Sequence, residues 1–394
     1  MIYFDTPYTP KEVGYDSSRF EVLNDHFSKM IDKGELQGAS YCLSRDGKVF
    51  MNASLGRYCY QVEDTRELTP DHIQSIASIT KIFTATAIFK LFEDGKISLA
   101  QKVGEILEEF SHPPYTDITI GHLLTHTSGL QPDPNCFPSP YYQCHWDFVE
   151  EGFKNGDTNW LKNALKAGLR TKPGTEWAYC SFGFAVLGEI ITRVTGNFAQ
   201  QYITENILKP CEMDNSMFED DLTKETFLRT PIRDEHSKKM HEAAMVNLSF
   251  NDNPLQDLWR RVPDTGGGLF STASDLAKFG TMLLQNGTYN GNRVLSRKAI
   301  EKMTALAIEP TVLDYCWEAG GVPHPYGLGP ELRCSLNNMF TPGTFYHEGA
   351  GSCSLLIDPK EKLVAAWFVP YLPAGTWYPQ GLYHAANIMW SGLL

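Results

Sequence analysis

The sequence is short of positive charge. Lys and Arg number 34 against 47 Asp and Glu in 394 residues, a net charge of −13. A field of that sign repels phosphate backbones and argues against a nucleic-acid partner. No C-x-x-C pair occurs among the nine cysteines, which scatter from Cys42 to Cys353. That excludes a zinc ribbon, and the odd count does not suit a disulfide framework, so reduced and mostly buried thiols are expected. The N-terminus, Met1-Ile2-Tyr3-Phe4-Asp5-Thr6-Pro7, has neither a basic nor an apolar signal region, so a cytoplasmic location is expected. From Leu363 to Leu394 there is no Asp, Glu, Lys or Arg. That stretch is long enough to span a bilayer, but Pro370, Pro373, Gly375 and Pro379 break any continuous helix. A soluble chain with no membrane span is expected.

Several motifs are incomplete or missing. His241-Glu242 begins like a zincin helix, but the second His is absent. Gly266-Gly267-Gly268 is not followed by Gly-Lys-Ser/Thr, so it is no phosphate loop, and no G-x-S-x-G elbow exists. Neither a metal nor another cofactor is expected.

What is present is a composition for a sizeable core, with 42% hydrophobic and 21% charged residues. At roughly 150 residues per domain the length suggests two to three units. Residues Ser18 to Lys33 carry Phe20, Leu23, Phe27 and Ile31 at helical spacing, with Ser17 or Ser18 as cap. Ala39 to Ser44 and Lys48 to Ser54 flank Asp46-Gly47 as a hairpin, and a third strand leads to Ile76. A helix follows over Ile79 to Phe92, stopped by Gly95. The middle is helical: Ile120 to Thr125, Trp160 to Ala167, Phe182 to Val194, Phe198 to Leu208 and Ala273 to Leu284. Strands return at Tyr326 to Leu332, Thr344 to Gly349, Ser352 to Ile357 and Leu363 to Val369, and a last helix runs roughly from Gly381 to Trp390.

Strands at both ends and helices between them predict an α+β fold. The N- and C-terminal segments would make one antiparallel β-sheet flanked by helices, with an all-helical lobe inserted. The boundaries implied are residues 1–80 and 265–394 for the sheet lobe and 81–264 for the helical lobe. A groove between them would hold the site.

Three segments carry chemistry. Ser78-Ile79-Thr80-Lys81 opens the first internal helix and is the only Ser with a Lys three residues on. A capping box wants Glu or Gln at that place, and Lys opposes the helix dipole there. Residues i and i+3 share a helix face, so the Lys81 amine can lie beside the Ser78 hydroxyl. Burial and the positive helix end would lower the Lys81 pKa, letting a neutral amine take the Ser78 proton. The second segment is Tyr179-Cys180-Ser181, on a loop entering a helix. Alone it reads as a packed Tyr followed by a Ser N-cap. The third is His347-Glu348-Gly349, where alternation puts His347 and Gly349 on one strand face and a Gly permits close approach to the backbone.

In this order and spacing the three segments resemble the serine β-lactamase and penicillin-recognising hydrolase family. The likeness is closest to its class C β-lactamase, esterase and D-aminopeptidase branch. The family pattern is S-x-x-K, then Y-x-N or Y-x-S roughly a hundred residues on, then K-T-G or H-x-G on a late strand. Leu123 to Leu130 and Gly266 to Thr272 also look like recurrent stretches of that branch. The resemblance covers most of the chain, from about Gly38 to the final helix. It implies a β-lactamase/transpeptidase-like fold with Ser78 as nucleophile, Lys81 as base partner and Tyr179 assisting proton transfer. By the same likeness Ser181 stands as a substrate donor, His347 and Gly349 stand in place of K-T-G, and the N–H groups of Ala350 and Ser78 form an oxyanion hole.

The departures direct the function. His347 replaces a fixed positive charge, no S-D-N sequence exists, and no signal is visible. These favour an esterase working through an acyl-enzyme on a small ester or amide. The alternatives are an acyltransferase using an alcohol acceptor, a D-aminopeptidase or β-lactamase, and a non-catalytic binding member of the fold. The aromatics Phe137, Tyr141, Tyr142, Trp146, Trp317 and the loop Tyr371 to Tyr378 suit a bulky apolar acyl group if they rim the groove, and equally suit packing on the lobes.

Overall fold

A computed structural model describes residues 1–58, 65–133, 136, 143–218, 254–316, 319–332, 337–350, 353–369 and 377–394. Six strands form one antiparallel sheet: β1 (Ile2–Tyr3), β2 (Gly38–Arg45), β3 (Lys48–Gly56), β4 (Phe345–Gly349), β5 (Cys353–Asp358) and β6 (Leu363–Phe368). Their order across the sheet is β1-β3-β2-β6-β5-β4. The two ends of the chain therefore meet at its centre, where β2 pairs with β6 and Tyr41 lies opposite Trp367.

Both faces of this sheet are covered, which is why β6 is apolar without interruption and β2 is buried along nearly its whole length. On one face Tyr41, Leu43, Ala365 and Trp367 pack against α1 (Ser18–Asp32) and α5 (Trp377–Trp390). On the other, Cys42, Leu355, Val364 and Ala366 join the main core with α2 (Thr80–Glu93), α3 (Ser181–Thr195) and α4 (Ala273–Leu284). Alternate residues of one strand thus serve two cores. Gly280 of α4 sits so close to the sheet that a Cβ would come within 2.5 Å of Val364.

Helix α2 is buried nearly all round, with Phe83 stacked on Phe279 of α4 at 3.8 Å. It ends as the sequence suggests. Gly95 takes a φ of 69° and Lys96 N–H returns to the Leu91 carbonyl. Its N-terminus is joined to a small three-stranded sheet, in which Gln74–Ser75 pairs with Leu269–Ser271 and that strand with Met217–Phe218. The third strand expected before Ile76 is this short one, and it stands outside the main sheet.

Other expectations shift for local reasons. Ser17 makes no cap bond; Asp16 accepts the Ser18 N–H instead. The helix expected over Trp160 to Ala167 closes with a 3-10 turn, and that over Phe198 to Leu208 passes into a π-turn at Thr204–Leu208. Tyr326 to Leu332 forms only isolated bridges, Tyr326 to Glu331 and Glu331 to Tyr346. Gly327, Gly329 and Pro330 interrupt it. Helix α5 begins four residues before Gly381, because Pro379 falls in its first turn, where an N–H has no helical partner anyway.

Seven cysteines are free among the described residues, and six of them are buried. No helix among the described residues is long and apolar enough to cross a membrane. His241-Glu242, Phe137, Tyr141, Tyr142, Trp317 and Tyr371 lie outside the described residues.

Candidate active site

Ser78 sits in a 3-10 turn, Ala77–Ile79, that runs straight into α2. It makes no side-chain cap, so its hydroxyl is not spent on the helix. Ala77 carries a φ of 43°, a left-handed conformation costing a residue with a Cβ roughly 1–2 kcal/mol. The surroundings hold it there. Ile76 N–H donates to the Leu269 carbonyl at 3.0 Å, and the Thr80 hydroxyl accepts the Leu269 N–H at 3.1 Å.

Lys81 is fully buried, one helical turn on. Its Nζ lies 2.7 Å from the Gly266 carbonyl, 2.9 Å from Ser181 Oγ and 3.1 Å from Ser78 Oγ. The glycine run supplies that carbonyl, and a Cβ on Gly266 would come within 2.9 Å of the Ser181 backbone oxygen. Burial lowers the Lys81 pKa to about 8, with the Asp133 carboxylate the strongest influence holding it up. The amine also stands 4.8 Å from the Tyr179 ring centroid.

Tyr179 and Ser181 reach the site on a segment pinned at two points by His126. The His126 carbonyl accepts the Ala178 N–H at 2.9 Å, and its Nδ1 accepts the Cys180 N–H at 3.0 Å. His126 itself is buried, left-handed at φ 56°, and lies 4.5 Å from the Tyr179 ring. Burial pushes the Tyr179 phenol well above its ordinary value, and a hydrogen bond with Ser78 only partly offsets this. It stays a neutral phenol. Ser181 opens α3, and both its donors go to one carboxylate: N–H to Asp133 Oδ1 at 2.6 Å and hydroxyl to Asp133 Oδ2 at 2.5 Å. Asp133 is therefore the remote cap of α3.

His347 and Gly349 share a face of β4, as alternation requires. The His347 Nδ1 lies 2.6 Å from the Glu348 carbonyl and so carries the proton, leaving Nε2 to face the Tyr326 hydroxyl at 3.4 Å. Burial lowers its pKa to about 4, so the ring is neutral. The close approach that Gly349 permits is to the chain itself. A Cβ there would lie 2.3 Å from the Ile76 carbonyl oxygen and 2.3 Å from Cys353 Sγ. That contact sets the end of β4, and exposed Ala350 after it, against the turn that carries Ser78.

Ser78, Lys81, Tyr179 and Ser181 thus come together from separate segments, with His347 beside the Tyr179 ring at 6.4 Å. Asp133 and His126 were missed as site residues. No sequence signal marks Asp133: Ser181 itself reads as a sufficient N-cap, and the contact spans 48 residues. Trp146 packs on Phe182 at 5.5 Å and lines, with Asp133, His145 and Ser181, a cavity of about 80 Å³. Among the described residues no group of three or more His, Cys, Asp or Glu is placed to hold a metal ion.

Comparison with known proteins bears on the fold and the family. The protein flp of Staphylococcus aureus is 34% identical over 196 residues, which is 48% of this chain and 36% of flp. This chain thus matches little more than a third of that relative's length. A family VIII carboxylesterase superposes with a TM-score of 0.71 at 22% identity, covering 96% of this chain and 99% of its own. EstCE1, described as a hydrolase with promiscuous acyltransferase activity, gives 0.71 at 18% identity, covering 94% and 98%. At such identities these two likenesses speak for the fold. The Beta-lactamase family model matches residues 23–374, and the chain belongs to that family.

Proposed function

We propose that the protein is a serine hydrolase that forms an acyl-enzyme on Ser78, most plainly an esterase of small carboxylic esters. One observation carries this reading: a fully buried lysine amine within 3.1 Å of a partly exposed serine hydroxyl. Burial outweighs the carboxylates that favour the ammonium, so the neutral amine is within easy reach. Neutral Lys81 takes the Ser78 proton as Oγ attacks the substrate carbonyl, and Lys81 then holds that proton as ammonium. The Tyr179 phenol, bonded to Ser78, is placed to pass a proton to the departing alkoxide. The N–H groups of Ser78 and Ala350 would receive the oxyanion. The Lys81 ammonium reprotonates Tyr179, so the Ser78 proton leaves with the alcohol. Water then attacks the acyl-enzyme, giving one proton to Lys81 and its hydroxyl to the acyl carbon, and Lys81 returns that proton to Ser78 as the acid departs.

Charge at the site favours neutral substrates. His347 is neutral, so it offers no fixed cation for a carboxylate such as a β-lactam carries. The carboxylesterase neighbour agrees in direction. The test is turnover of p-nitrophenyl esters, a chromogenic cephalosporin and a D-amino-acid amide, each beside Ser78→Ala. Ester turnover that disappears in the variant is the expected result. No turnover together with no fluorophosphonate adduct overturns the reading. Added alcohols that yield new esters would move it to acyl transfer, as named for EstCE1.

A further inference from the structure

Asp133 has no part in the chemistry so far, yet it fixes hydrogen-bond direction at the catalytic amine. A carboxylate only accepts, so the Ser181 hydroxyl at 2.5 Å must spend its one proton on Asp133. Ser181 Oγ can then only accept from Lys81, at 2.9 Å. The Gly266 carbonyl, at 2.7 Å, is likewise an acceptor. A neutral amine has two N–H bonds and one lone pair. With both N–H bonds committed to Gly266 and Ser181, the lone pair is left for Ser78, the remaining partner at 3.1 Å.

We propose that Asp133 is a positioning residue for the reaction, acting through Ser181 to turn the Lys81 lone pair onto the Ser78 hydroxyl. The proposal rests on the Ser78 acyl-enzyme reading. It commits Asp133 to two separable effects, one of polarity and one of charge. Asparagine has the same size and can still take the Ser181 N–H on its carbonyl, keeping the cap. Its NH₂ would then donate to Ser181 Oγ, freeing the Ser181 proton to bond the Lys81 lone pair and capture the base.

The charge effect has a definite sign. The groups favouring ammonium at Lys81 are Asp133 first, then the Cys180 thiol and Asp264, all against burial. Removing the Asp133 charge lets burial win further, so the Lys81 pKa falls. Loosening of the structure would do the reverse, because a hydrated lysine returns toward its ordinary 10.5.

The experiment follows the rate of fluorophosphonate labelling of Ser78 against pH in the full chain, for the parent, Asp133→Asn, Ser181→Ala and the double variant. Asp133→Asn should lower the plateau rate about 10- to 100-fold, as expected for misdirecting one strong hydrogen bond. It should also move the acid limb to lower pH. Ser181→Ala placed in the Asp133→Asn background should recover part of the rate, since nothing then donates to the lone pair. An unchanged rate, an acid limb moved to higher pH, or a double variant slower than Asp133→Asn would each overturn the proposal. A parent enzyme that is not labelled at all would instead overturn the Ser78 reading beneath it.

Discussion

Acylation of Ser78 should titrate with Lys81, and the structure sets where. An ordinary lysine at 10.5 is neutral in about one molecule in a thousand at pH 7.5, whereas one at about 8 is neutral in about one in four. Burial thus raises the supply of the base by about two hundred-fold, worth at most about 3 kcal/mol on the acylation barrier because a base of lower pKa is also a weaker one. Labelling or ester-burst rates measured from about pH 6 to about pH 10 should climb nearly tenfold per unit and level off above about 8. Tyr179 stays protonated through this range, and His347, at about 4, stays neutral, so neither adds a limb. Lys81→Arg keeps the charge but cannot supply a neutral base, so its rate should fall at least about a thousandfold across the range. A flat profile, a midpoint at the ordinary lysine value, or an Arg variant near the parent rate would refute the reasoning.

Two other outcomes follow from the packing. Gly349→Ala would push a methyl into the Ile76 carbonyl and shift the turn bearing Ser78, so esterase kcat should drop at least about tenfold and stability by about 1–3 kcal/mol. Full activity with an unmoved denaturation midpoint would contradict that contact. His145 and His347 are both buried with pKa values lowered to about 4 from 6.5. The unfolded chain therefore binds more protons between those values, and stability should decline as pH falls from 6.5 to 4, by up to about 3 kcal/mol for each ring. His145→Gln should flatten urea-midpoint curves over that window; an unaltered slope would count against its being buried neutral.

The main sheet was legible because its strands carry strong local marks. Asp46-Gly47 sets a two-residue hairpin between β2 and β3, where both residues take positive φ. The uninterrupted apolar run of β6 could only be a strand covered on both faces. Lys81 was legible for a different reason: a lysine is the wrong residue type for the first turn of a helix, and such conflicts tend to mark sites. What stayed hidden depends on contacts distant in sequence. Asp133 caps a helix 48 residues away, and His126 supports Tyr179 with a carbonyl and a ring nitrogen that no periodicity marks. Ser181 looked like a simple N-cap or substrate donor. Its hydroxyl is instead held between Lys81 and Asp133.

The central claim is that acyl transfer runs through Ser78, and trapping the intermediate tests it most directly. The protein would be mixed with a p-nitrophenyl ester, quenched in acid within the burst, digested and mapped by mass spectrometry. The account predicts the acyl mass on the peptide containing Ser78, absent in Ser78→Ala and scarce in Lys81→Arg. An acyl group carried on Ser181 or a cysteine, or steady ester turnover in Ser78→Ala, would contradict it.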